Sequence, residues 1–95
     1  MNRTEIKLLN STTEYGVELR ELDSETKGWT LDIILCVDAR KFTATTSRGN
    51  VRIFKTLETA LSFVFEECSQ RKSLAFEFSK RLYNISPIGV NNEKI

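Results

Sequence analysis

The sequence contains no histidine. That absence alone excludes imidazole acid–base catalysis, Ser-His and Cys-His nucleophile pairs and every zinc site that needs a histidine. Proline occurs once, at Pro87, and glycine four times, so the chain holds no Pro/Gly-rich linker and no collagen-like repeat. The two cysteines, Cys36 and Cys68, lack CxxC spacing, and each sits in an apolar run. Both read as small buried hydrophobes, with a single disulfide as the other option. No stretch approaches the roughly 18 apolar residues of a membrane-spanning helix. The N-terminus carries Arg3 and Glu5 where a signal peptide needs an apolar core. These absences describe a cytoplasmic protein with no membrane partner, no metal and no cofactor.

What remains is 95 residues, 40% of them hydrophobic and 28% charged, which is enough for one small domain. The net charge of +1 hides an asymmetry. Residues 1–39 hold four basic and eight acidic side chains, a balance of −4, whereas residues 40–95 hold ten basic and five acidic, a balance of +5. The densest positive stretch is 40–55, with Arg40, Lys41, Arg48, Arg52 and Lys55 and no acid among them. Such a division points to a polyanion-facing surface, to a self-complementary interface, or to local cancellation between neighbouring strands.

Hydrophobic periodicity predicts strands first and helices later. Tyr15, Val17 and Leu19 alternate with polar residues as a strand that ends near Leu22. A polar turn follows at 23–28. Trp29 to Val37 is the strongest strand in the chain, with Trp29, Leu31, Ile33 and Leu35 on one face. Residues 41–46 and 51–55 form a hairpin about Ser47-Arg48-Gly49-Asn50. Thr56 is a good N-cap, and Leu57, Leu61, Val64, Phe65 and Cys68 recur at helical spacing, which predicts a helix over 56–70. Residues 73–84 fit both periods, and their length and basic end favour a second helix. Residues 4–10 are a short strand or a helical turn. The expected fold is α+β, an antiparallel meander of about four strands with one or two C-terminal helices on one face. The domain spans 1–86, with 87–95 as a flexible tail.

The hairpin register then assigns faces. With Arg48-Gly49 as a two-residue loop, Thr46 pairs with Val51 and Thr43 with Phe54. Phe42, Ala44, Thr46, Val51 and Ile53 then face the helix, and Lys41, Thr43, Thr45, Arg52 and Phe54 face outward. Basic, hydroxyl and aromatic groups interleaved on an open sheet are what single-stranded nucleic acid binds, through phosphate attraction and base stacking. The expected nucleic-acid-binding residues are Arg40, Lys41, Arg48, Arg52, Phe54 and Lys55, with Phe54 as a packing residue the competing reading. Ile34, Cys36 and Phe54 on that same face would suit a homodimer interface. Neither Asp32 and Asp38 nor Glu66 and Glu67 have the spacing of a catalytic carboxylate pair, and no Walker loop or GxSxG occurs, so an enzyme is not expected.

The run Thr43-Ala44-Thr45-Thr46-Ser47-Arg48-Gly49-Asn50-Val51-Arg52-Ile53-Phe54-Lys55-Thr56-Leu57-Glu58-Thr59-Ala60-Leu61 resembles a segment of small plasmid-encoded partition-associated proteins, the ParC-like group. The resemblance implies an accessory protein of a mobile element, acting near DNA or a DNA-bound partner, and assigns no individual residue. Two functions are therefore expected: nucleic-acid binding through the basic hairpin, or binding of a host or plasmid protein through the acidic region from Glu14 to Asp38.

Overall fold

The computed structural model describes residues 1–22, 27–78 and 81–85. It shows an α+β fold with two helices and a five-stranded sheet. In chain order the elements are α1 (Arg3–Thr12), β1 (Tyr15–Glu21), β2 (Trp29–Leu35), β3 (Lys41–Thr43), α2 (Leu57–Glu67), β4 (Leu74–Phe78) and β5 (Arg81–Ile85). The sheet order is β3-β2-β1-β4-β5, and β1 runs parallel to β4 while the other pairs are antiparallel. The sheet is thus mixed, not the simple meander expected. Part of the 23–28 turn and the whole 87–95 tail lie outside the described residues.

Residues 2–12 begin with a capping box. Asn2 Oδ1 accepts from the Glu5 amide at 2.9 Å, and Glu5 Oε1 accepts from the Asn2 amide at 2.7 Å. Two orphan donors are satisfied at once, which starts the helix that the sparse apolar pattern of 4–10 left undecided. Only Ile6 of α1 is fully buried.

In β1 and β2 the period-2 reading holds. Tyr15 faces Leu35, Val17 faces Ile33 and Leu19 faces Leu31, and all six side chains are buried. Ile6, Ala60, Val64 and Cys68 complete the same core, so residues from both helices close over this face. Within 73–84, the described residues form strands β4 and β5 in place of the expected second helix. Leu74 pairs with Val17 and Phe76 with Leu19, and both pack with the core. Their alternation is read by the open edge of β1, and a neighbouring strand in need of hydrogen bonds outweighs the four-residue spacing of Leu74, Phe78 and Leu82.

The other sheet face is polar and self-neutralising. Glu18 sits opposite Asp32, and Arg20 opposite Glu77. Arg20 reaches Glu77 at 3.2 Å, Glu18 at 3.7 Å and Asp32 at 3.8 Å, while Lys41 reaches Glu18 at 3.3 Å. Thr43 Oγ1 donates to Asp32 Oδ1 at 2.8 Å, which helps explain how a carboxylate is buried on this face. Two acids from the acidic half, Glu18 and Asp32, are thereby matched within the sheet.

Candidate interaction groove

The 43–55 region departs from the expected hairpin by one residue. Thr45 pairs with Val51, Arg52 N donates to Ala44 O at 3.0 Å, and Thr46 N donates to Asn50 O at 2.7 Å. The loop is therefore Ser47-Arg48-Gly49, with Gly49 at φ +92° and its amide on Thr46 O at 2.9 Å. A three-residue loop with glycine in left-handed backbone is a common hairpin solution. Because side chains alternate, this slip reverses every face assignment from 51 to 54. Phe42 and Ala44 lie against the core as expected, but Val51 and Ile53 are half exposed. Phe54, expected outside as a stacking platform, is buried.

The segment leaves and rejoins one edge. Ala44 N donates to Leu31 O at 2.7 Å at the end of β3. Phe54 then takes the next place along β2, exchanging hydrogen bonds with Trp29 of 2.7 and 2.9 Å. Residues 45–53 are thus an excursion from the edge strand. On its far side the Met1 backbone holds Thr43 O at 2.9 Å and the Thr45 amide at 2.8 Å.

Between this excursion and α2 lies an open groove of about 520 Å³. One wall is Arg52 to Lys55. The other is Thr59, Ser62, Phe63, Glu66 and Glu67 of α2, with Arg3 at the end. Helix α2 is fixed beside the strand by its cap, since Thr56 Oγ1 accepts from the Thr59 amide at 3.1 Å. Phe63 lines the groove from α2. The Phe54 ring lies 5.2 Å from it, tilted by 55°, and the Arg52 guanidinium covers it at 5.2 Å. Arg52 Nε is buried without a hydrogen-bond acceptor.

Glu67 closes the groove from within. It is 4% exposed, and Arg3 donates to Oε2 from Nε at 2.9 Å and from the terminal nitrogen at 2.8 Å. Lys7 lies 3.7 Å from Oε1, which has no hydrogen bond. Arg3 holds the Glu67 carboxyl below its ordinary value, chiefly by that hydrogen bond and against the opposing effect of burial. Arg3 is raised in turn by the same bond. Asn10 ties the helices further, donating to Glu67 O at 2.9 Å and accepting from Tyr15 OH at 2.6 Å.

The expected nucleic-acid residues do not form one surface. Arg40 pairs with Asp38 at 2.7 Å and stacks on Phe42 at 5.7 Å, and Lys41 is held by Glu18 on the polar sheet face. Phe54 is in the core. Arg52 and Lys55 line the groove, and Arg48 is exposed near the loop tip. Among the described residues, Arg48, Arg52 and Lys55 have no carboxylate within 4.0 Å. The basic stretch thus divides into a neutralised end at 40–41 and an uncompensated end at 48–55. Sequence reasoning missed Phe63, Glu67 and Arg3, which join the site through packing of α1 and α2. The Asn2/Glu5 capping box was the signal that could have placed α1.

Cys68 is buried, and Cys36 is exposed in the turn after β2; both are free. The expectation of burial therefore holds for Cys68 and not for Cys36. Burial pushes the Cys68 thiol up to about 11 and the Tyr15 phenol well above its ordinary value. Among the described residues no helix is long and apolar enough to cross a membrane. Compared with known proteins, the chain matches no family model, no curated sequence and no solved structure.

Proposed function

We propose that the protein is a non-enzymatic binding module whose partner is a protein segment held in the groove between residues 52–55 and α2. The observation that carries the reading is the composition of that groove. Uncompensated Arg52 and Lys55 stand beside Phe63, half-exposed Ile53 and the carboxylates Glu66 and Glu67. A phosphate backbone would meet the exposed Glu66 carboxylate on the helix wall, which repels it, whereas Glu67 is buried and already paired with Arg3. A peptide offers both signs of charge and apolar side chains, so it fits a wall of mixed character. The acidic sheet region is a weaker docking surface, because Glu18, Asp32 and Glu77 already have cations on the same face.

The resemblance of residues 43–61 to partition-associated proteins falls on the groove-forming segment. With it the proposal places the module in the cytoplasm as an accessory protein of a mobile element. Selection from a displayed library of short random peptides tests the reading. Enriched peptides should bind wild-type protein and lose binding to Ser62→Trp, which fills the groove from an exposed helix position. No enrichment, together with steeply salt-dependent binding of DNA at about 50 mM salt, favours the nucleic-acid reading instead.

A further inference from the structure

Arg52 N and Phe54 N point inward, to Ala44 O and Trp29 O. In an extended chain the intervening and preceding residues must point their amides and carbonyls the other way. The N–H and C=O groups of Val51 and Ile53 accordingly make no hydrogen bond within the described residues. Two residues spaced i and i+2 thus present four free backbone groups along one edge, beside a groove walled by a helix.

We propose that this edge binds its partner by strand addition, with an extended segment pairing along Val51–Ile53 and lying against α2. The inference rests on the protein-segment reading above and specifies its mode. Main-chain hydrogen bonds supply affinity in such complexes, and alternate side chains supply specificity. The alternation here is explicit. Val51 and Ile53 are half exposed on one side, while Arg52 lies on the other, over Phe63 with its Nε unpartnered. An acidic side chain opposite Arg52 meets a guanidinium, for which a carboxylate is the matching acceptor. Apolar side chains flanking it cover Val51 and Ile53. The preferred occupant is therefore an apolar–acidic–apolar extended segment, and Lys55 adds a second cation on the same groove wall.

The test uses the full chain and a short peptide with an Ile-Glu-Ile centre between Ser and Gly residues. Three other peptides serve as controls: the Ile-Lys-Ile counterpart, and the parent with every backbone nitrogen of its centre methylated, and a scrambled one. Strand addition predicts that the parent slows exchange of the Val51 and Ile53 amides. It predicts about tenfold weaker binding of the Ile-Lys-Ile peptide, a preference that Arg52→Glu reverses. The methylated peptide should not bind. Ile53→Pro should fold, because it removes an N–H that makes no internal bond, and should lose affinity for the parent. Equal binding of the methylated and parent peptides overturns strand addition and leaves the module reading in place. Absence of parent binding at millimolar concentration overturns it too, and salt-dependent binding of a single-stranded oligonucleotide in that case overturns both. A free protein that is dimeric, with Val51 and Ile53 already protected, also contradicts the proposal, since a second copy then occupies the edge.

Discussion

Phe54 and Trp29 exchange both backbone hydrogen bonds across the β2 edge, at 2.7 and 2.9 Å. Had β3 continued without interruption, Thr46 would occupy the place that Phe54 takes. The chain instead spends residues 45–53 outside the sheet and returns in line. That return brings Phe54 onto Phe63 and positions Arg52 and Ile53 as one wall of the groove. Phe54 is thus the anchor of the excursion.

Truncating Phe54 should accordingly act on stability. Phe54→Ala is expected to cost about 3–5 kcal/mol, as for other buried aromatic residues, and urea denaturation measures it. Val51→Ala, at a half-exposed position, should lower stability by less than about 1 kcal/mol. A small effect of Phe54→Ala combined with weakened nucleic-acid binding would return the ring to the outer face.

Gly28 supports the same junction. Its φ is +140°, and an added Cβ would lie 2.8 Å from Ile53 Cγ2 and 2.9 Å from Phe54 O. Gly28→Ala therefore combines backbone strain with a clash against the returning strand. A cost of roughly 1–3 kcal/mol is expected, accompanied by amide chemical-shift changes at 52–55 that exceed those in β1.

The Glu67 carboxyl is lowered by Arg3, so its stabilising contribution is complete above the ordinary carboxylate value of 4.5 and fades as pH falls through the lower folded value. Arg3→Met removes the principal cause and leaves burial unopposed except by Lys7. The carboxyl then rises, so the stability that Glu67 supplies above the ordinary carboxylate value is diminished. Thermal midpoints measured from about pH 3 to 6 should differ most at the upper end and converge toward acid as the wild type loses this contribution, and parallel curves would contradict the assignment.

At the alkaline end the sign reverses. Burial raises Cys68 from 9.0 to about 11, so the unfolded chain ionises first. Stability is fully present below pH 9.0 and declines as pH rises toward 11, with the raised Tyr15 phenol adding to the decline above its ordinary 10.0. At roughly 1.4 kcal/mol per pH unit the thiol accounts for about 3 kcal/mol. Cys68→Ala lowers stability throughout but should flatten the part of the decline that starts near 9.0, which urea unfolding across that range detects.

Much of this fold was legible because its strongest signals are local. Alternation in Tyr15–Leu19 and Trp29–Leu35 located β1 and β2, and Thr56 with its helical repeat located α2. Segment 73–84 suits both periods, because Leu74, Phe76 and Phe78 alternate while Leu74, Phe78 and Leu82 fall four apart, and the vacant edge of β1, which decides between them, is a tertiary fact. The candidate site failed at one residue of register. Gly49 allows either a two- or a three-residue loop, and the choice decides whether Phe54 or Ile53 faces outward. Charge patterning located the basic stretch correctly, but Asp38 and Glu18, which neutralise Arg40 and Lys41, come from neighbouring turns and strands.

The register of the excursion and its open edge are tested most directly by amide hydrogen exchange of the free protein. The amides of Ala44, Arg52 and Phe54 should be strongly protected, while those of Val51 and Ile53 exchange within about tenfold of an unstructured peptide. Protection of Val51 and Ile53 equal to that of Phe54 would contradict both the register and the open edge.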